Sequence, residues 1–85
     1  MATQINITGI LWANTPSAPE TTTFEYKLFS DTSWTLVSNT AVVNTDGSLV
    51  VPLTINGLTA GQLYYVRWHN NCQSPPDFFI EQFQL

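Results

Sequence analysis

Residues 58–68 are Leu58-Thr59-Ala60-Gly61-Gln62-Leu63-Tyr64-Tyr65-Val66-Arg67-Trp68, and this stretch decides the fold. A turn at residues 59–61 is followed by strict alternation, in which Tyr64, Val66 and Trp68 share one side. Alternating aromatic and β-branched residues are typical of a strand that buries one face in a core. Because Leu58 and Gly61 lie just before this strand, we expect the chain to turn a corner there. The Tyr64 hydroxyl would then bond to a backbone group of that corner.

Residues 57–68 resemble the corner between strands E and F, and strand F itself, of a fibronectin type III domain. Trp12 also lies fourteen residues before Tyr26, with two prolines between them, as the strand B Trp and strand C Tyr do in that family. The resemblance covers nearly the whole chain and implies a two-sheet sandwich used for adhesion, spacing or docking, a fold that hosts many functions. The predicted core and corner residues are Leu58, Gly61, Tyr64, Trp12, Tyr26, Val66 and Trp68.

The resemblance also assigns strands to the rest of the chain. Strand B is expected over residues 4–13, with Gly9 marking a bulge or a close approach, and strand C over residues 21–29. Strand C′ is expected over residues 34–43 with a break at Ser38-Asn39, strand E over 49–55, and strand G over 78–85. Asp46-Gly47 predicts a tight hairpin turn before strand E. We therefore expect one all-β domain, residues 1–85, with about six strands in sheets B–E and C′–C–F–G.

Both margins of this predicted sandwich indicate contact with other proteins. Almost nothing precedes strand B, so strand A is expected to be missing or very short, which leaves strand B as an open edge. Strand G has apolar side chains on both of its faces, so either the core covers both faces or one face contacts a partner. Tyr65 and Arg67 point outward from strand F in a mixture typical of interfaces. The candidate interface residues are Tyr65, Arg67, Phe79, Phe83, Leu85, Ile5 and Ile7.

Composition excludes some partners. The formal net charge is −4 with only two basic residues, whereas binding to nucleic acid or to an anionic membrane surface needs clustered Lys and Arg. No apolar run reaches transmembrane length, and charged residues make up only 9% of the chain. The surface is therefore expected to be mostly neutral and polar. Three Trp, three Tyr and five Phe supply dense packing for a small core.

The N-terminal residues lack the basic region and apolar core of a signal peptide. If Met1 is the native start, we expect synthesis without an export signal. Cys72 is the single cysteine, so no internal disulfide forms, which suits the cytosol or a particle assembled there.

Residues with reactive side chains favour no chemistry. His69, Cys72 and Asp77 are close in sequence, but a metal centre needs three or four converging ligands, and a nucleophile needs a base and a water-excluding cleft. The carboxylates, Glu81 among them, are expected on loops and outward faces. Asn6-Ile7-Thr8 matches a glycosylation acceptor inside a predicted strand, where a chance match is the better interpretation. We predict no catalytic, cofactor or metal site.

Two functions remain. The first is a non-catalytic structural or interaction module that docks into a larger assembly, through copies of itself or a larger structural protein, by strand addition at the open edge. The chain resembles accessory or decoration proteins of tailed-phage virions, which implies a particle assembled in the host cytoplasm. The second is a carbohydrate- or cell-surface-binding module of a larger secreted bacterial protein, with Tyr65 or Trp34 stacking on a sugar. Gene neighbours, or a longer reading frame with a signal peptide, would discriminate the two.

Overall fold

The computed structural model describes residues 3–37 and 40–85, and in these ranges the chain is all-β, as predicted. The strands are β1 (Ile5–Gly9), β2 (Glu20–Leu28), β3 (Thr35–Leu36), β4 (Ala41–Val43), β5 (Ser48–Ile55), β6 (Leu63–Asn70) and β7 (Phe79–Gln84). No helix long and apolar enough to cross a membrane occurs in the described ranges. The predicted break at Ser38-Asn39 lies outside them.

The strands form one curled antiparallel sheet in the order β1-β5-β4-β2-β6-β7, and β3 pairs separately with β2. The predicted pairing of strand B with strand E corresponds to β1 with β5. The predicted order C–F–G corresponds to β2–β6–β7, in which β6 pairs with β2 on one side and with β7 on the other. The two groups are not separate, because β4 pairs with β2 and also meets β5 at Val43 and Leu49. One hydrogen-bonded path therefore runs through the described strands from β1 to β7.

Strand β6 lies at the centre of the longest pairings and alternates strictly between buried and half-buried residues. Its inner residues face inner residues of β2 in the antiparallel register, Phe24 with Trp68 and Tyr26 with Val66. Phe24 and Trp68 pack ring against ring with centroids 5.9 Å apart. The buried hydrophobic core comprises Ile5, Ile7, Ile10, Phe24, Val43, Leu49, Ile55, Leu58, Tyr64, Val66 and Trp68.

Strand β1 is shorter than predicted, since it ends at Gly9 and not near residue 13. The register with β5 shifts between Ile7 and Gly9, where the sequence suggested a bulge. Beyond the strand, the Ile10 N–H donates to the Gly47 carbonyl (2.7 Å) instead of continuing the ladder. Trp12 therefore lies outside a strand, half-buried against the core, and its indole N–H donates to the Asn44 carbonyl (3.1 Å).

The hairpin between β4 and β5 forms at the predicted Asp46-Gly47 turn. The Gly47 φ of 89° is one that glycine adopts without steric cost. Ser48 donates to the Asp46 carboxylate from its hydroxyl (2.6 Å) and its N–H (3.0 Å). The hydrogen bond from the Ser48 side chain holds the pKa of Asp46 below its usual value.

Candidate interaction surfaces

The corner before β6 has the contacts expected from the sequence. The Tyr64 hydroxyl accepts a hydrogen bond from the Thr59 N–H (2.9 Å), and the Leu58 side chain is buried. Gly61 has a φ of 80°, which permits the turn between them. The Leu58 N–H donates to the Thr3 carbonyl (2.9 Å), so this corner also anchors the segment that leads into β1.

The prediction that Ile5 and Ile7 belong to an interface is wrong. Their side chains are 2% and 3% exposed and lie in the hydrophobic core, because both occupy the inner face of β1. Neither can offer its side chain to a partner in the folded chain. What β1 retains for contact is its backbone edge, since β5 is the one described strand with which it pairs.

The prediction that the apolar side chains at the end of the chain form an interface is wrong for Phe79, Phe83 and Leu85. Phe79, Phe83 and Leu85 are half-buried and pack against the core, with Phe79 stacked on Trp68 at 5.4 Å between centroids. Their parity places them inward, because Phe79 pairs with Trp68 and Phe83 with Tyr64. The apolar residue of β7 that remains exposed is Ile80, on the outer face.

The end of β1 and the β4–β5 hairpin are separated from Glu81 of β7, at the other end of the sheet, by an open cleft of about 430 Å³. The cleft is lined by Thr8, Gly9, Ile10, Leu11, Asp46, Gly47, Ser48 and Glu81. Glu81 pairs with the buried Val66, and cross-strand partners share a face, so its side chain takes an inner-face position. This differs from the outward position expected for the carboxylates.

The outer face of β2 and β6 carries a stack of aromatic rings around a guanidinium group. The Arg67 guanidinium lies 4.4 Å from the centroid of Trp34 and 4.1 Å from that of Phe78. Its Nε donates to Glu25 Oε1 at 3.0 Å, and both side chains are about three-quarters buried. A guanidinium between two ring faces is favourable, so Arg67 binds the β2–β3 and β6–β7 connections to the sheet.

The second cation of the chain lies on the same outer face. The Lys27 ammonium is 5.3 Å from the Trp34 ring and 5.8 Å from the Tyr65 ring, and it donates to the Asp31 carbonyl (2.9 Å). Tyr65 in turn meets Phe29 edge-on at 5.7 Å. Tyr65 and Arg67 are therefore half-buried by contacts within the chain, although they point outward as predicted.

The residues considered for chemistry bond to different partners. His69 Nδ1 lies 3.0 Å from the Asn70 carbonyl, and Asp77 accepts a hydrogen bond from Asn14 (2.6 Å). The Cys72 thiol donates to Glu20 Oε2 (2.8 Å), a hydrogen bond that raises the pKa of the thiol, with smaller contributions from desolvation and the Glu20 charge. In residues 3–37 and 40–85, no three His, Cys, Asp or Glu side chains converge as metal ligands.

Comparisons with protein-family models, curated proteins and solved structures found no significant match.

Sequence reasoning missed two features of these surfaces. The sequence makes Trp34 a candidate platform for a sugar, but its position over Arg67 depends on how the β2–β3 connection folds back, which periodicity does not report. Glu81 had a usable signal, since it shares the parity of Phe79 and Phe83 along one strand. Parity along β7 predicts an inward side chain there, whereas the hydrophilicity of glutamate predicts an outward one.

Proposed function

We propose that this chain is a non-catalytic interaction module that docks into a larger assembly by accepting a strand at the edge of β1. The observation that carries the proposal is the position of β1 at the end of the sheet, with an open cleft between it and β7. An edge strand presents unpaired N–H and C=O groups, and an extended segment of another chain can pair with them. The partner is a second copy of the chain or a larger structural protein.

The fold we propose is a fibronectin type III-like sandwich in which the described strands include no counterpart of strand A. The pairing of β1 with β5, the β2-β6-β7 order and the Tyr64–Thr59 hydrogen bond all support it. In such a sandwich strand A lies beside strand B, which is the free side of β1. The cleft in front of Glu81 would then be the place where a partner substitutes for that strand.

The setting we propose is a particle that carries many copies of the module, such as a tailed-phage virion assembled in the host cytoplasm. This step is an analogy with accessory and decoration proteins, and the low share of charged residues, 9% of the chain, supports it. Purified particles should contain the chain in many copies. Particles that lack it would remove the virion setting without touching the docking proposal.

Site-specific photo-crosslinking tests the docking edge. A photoreactive residue at Thr8, which lines the cleft, should crosslink to one structural partner in the native assembly. The matched control is the same residue at Ser30, which is exposed at the far end of β2. Equal crosslinking from both positions, or crosslinking from Ser30 alone, would contradict docking through the β1 edge.

The second candidate function is a carbohydrate- or cell-surface-binding module of a larger secreted bacterial protein. The outer-face aromatic rings favour it, since Trp34 and Tyr65 lie beside the chain's two cations. Glycan-array binding that is lost in Trp34→Ala and Tyr65→Ala, but kept in the control Leu36→Ala on the neighbouring exposed strand, would establish it. Binding unchanged by all three substitutions would exclude these rings as the platform.

A further inference from the structure

The cleft between β1 and β7 contains a carboxylate where a sandwich would place an apolar side chain. Glu81 lies between the inward residues Phe79 and Phe83 on β7 and opposite the fully buried Val66 on β6. Its side chain is nevertheless exposed, because the cleft in front of it is open. Any strand that fills this cleft would cover the carboxylate and remove its water.

No described cation neutralises Glu81. The ion pair found in the described ranges joins Arg67 to Glu25 on the outer face, and Lys27 lies on that face too. The second carboxylate in the cleft lining, Asp46, already accepts two hydrogen bonds from Ser48. Glu81 is therefore the charge that a docking strand has to match, in a chain whose net charge is −4.

We propose that the β1 edge accepts an extended segment of a partner chain that carries a lysine or arginine at the position facing Glu81. The inference rests on the strand addition proposed above and specifies the chemistry of the partner. A carboxylate about to lose its water is stabilised by an opposite charge and destabilised by an apolar neighbour. Leu11, which is 67% exposed beside the cleft, can contact the aliphatic stem of such a residue.

The same carboxylate disfavours a second copy as the partner. Among the described strands, the edge strands that a copy could offer are β1, β3 and β7, and none of them contains lysine or arginine. Lys27 and Arg67 lie in β2 and β6, which are paired on both sides within the sheet. Inward charges on edge strands are one of the devices by which proteins prevent pairing between copies.

A peptide display library tests the inference on the full chain. The library consists of ten-residue strands of alternating valine and threonine in which each inward position is varied in turn among lysine, arginine, glutamine, glutamate and leucine. Peptides that bind are selected separately on three proteins: the native chain, the variant Glu81→Gln and the control variant Asp31→Asn. The control removes the same charge on an exposed turn. Hydrogen exchange then locates each enriched peptide on the chain.

We expect peptides that protect β1 amides and prefer a basic residue at one position. In Glu81→Gln the preference should weaken by at least roughly fivefold, the upper value for an exposed ion pair, because the docked strand covers the carboxylate, and in Asp31→Asn it should remain. Peptides that protect β1 without preferring a basic residue, or whose preference survives Glu81→Gln, would overturn this inference and leave strand addition standing. If the enriched peptides protect other regions, or if none is enriched, strand addition and the basic partner both fail.

Discussion

At the scale of single residues, the Tyr64 hydroxyl links the corner to β6 by one hydrogen bond from the Thr59 N–H. Tyr64→Phe should lower the free energy of unfolding by about 1 kcal/mol, because Thr59 is exposed and water can take over part of the bond. Urea denaturation measures this as a lower midpoint with an unchanged slope.

The matched control for that substitution is Tyr65→Phe. Within residues 3–37 and 40–85, the one hydrogen-bonding contact of the Tyr65 hydroxyl is a long one with Gln82 Nε2, at 3.5 Å, so its removal should change stability little. If Tyr64→Phe costs no more than Tyr65→Phe, the corner bond does not stabilise the fold.

The reactivity of Cys72 should depend on Glu20. The hydrogen bond to Glu20 raises the pKa of the thiol above its ordinary value of 9.0, so the folded chain favours the neutral thiol. This contribution to stability is fully present below that value and is lost as the pH rises through the folded pKa. Glu20→Ala should therefore shift the pH profile of iodoacetamide alkylation to lower pH, because the thiolate is the reactive form.

Alkylation in concentrated urea provides the control for Cys72. There the thiol has the same surroundings in both proteins, and the two pH profiles should coincide. A folded-state profile that does not move in Glu20→Ala would mean that the carboxylate does not influence the thiol.

At the scale of the elements, Gly47 joins the β4–β5 hairpin to the end of β1. A Cβ at this position would collide with the Ile10 carbonyl, and the φ of 89° is strained for any other residue. Gly47→Ala should cost about 3 kcal/mol, since the collision adds to the strain. Gly57→Ala, where φ is 75° and nothing lies within 4 Å, isolates the strain alone at about 1 kcal/mol.

Thermal or urea denaturation of both glycine variants separates the two contributions. Hydrogen exchange of the Ile10 amide gives a local readout, because this amide bonds to the Gly47 carbonyl. Exchange should accelerate in Gly47→Ala and stay unchanged in Gly57→Ala. Equal losses of stability in the two variants would show that the hairpin does not press on the end of β1.

The burial pattern of a strand could be predicted from its sequence only where the strand pairs regularly with its neighbours. Strand β6 pairs with β2 from Tyr64 to Asn70 and with β7 from Leu63 to Trp68, so its alternation in sequence became alternation in burial. Strand β5 begins one residue earlier than predicted, at Ser48, and Val50 and Val51 are 59% and 69% exposed. Its register with β1 jumps from Ser48 to Leu53, a long-range irregularity that no local pattern reports.

At the scale of the whole molecule, an all-β fold was predictable, but one continuous path of strands was not. Residues 34–43 were predicted as a single interrupted strand, and two short strands in this region, β3 and β4, each pair with β2. The link from β4 to β5 rests on a single pair, Val43 with Leu49. The pairing of β4 with β5 depends on the lengths of the turns and on how strongly the sheet curls, so sequence periodicity does not predict it.

The open edge and the charge facing it together set the expected behaviour of the isolated chain. A chain of 85 residues buries a modest share of its surface, and here the cleft of about 430 Å³ leaves Glu81, on the inner face of β7, uncovered. Because Glu81 opposes pairing between copies, the chain should be a monomer with a free energy of unfolding at or below about 5 kcal/mol, independent of its concentration. Light scattering combined with urea denaturation at two concentrations measures both properties. A monomer much more stable than this would mean that the β1 edge needs no partner, whereas dimers that persist at low concentration would mean that Glu81 does not exclude a second copy.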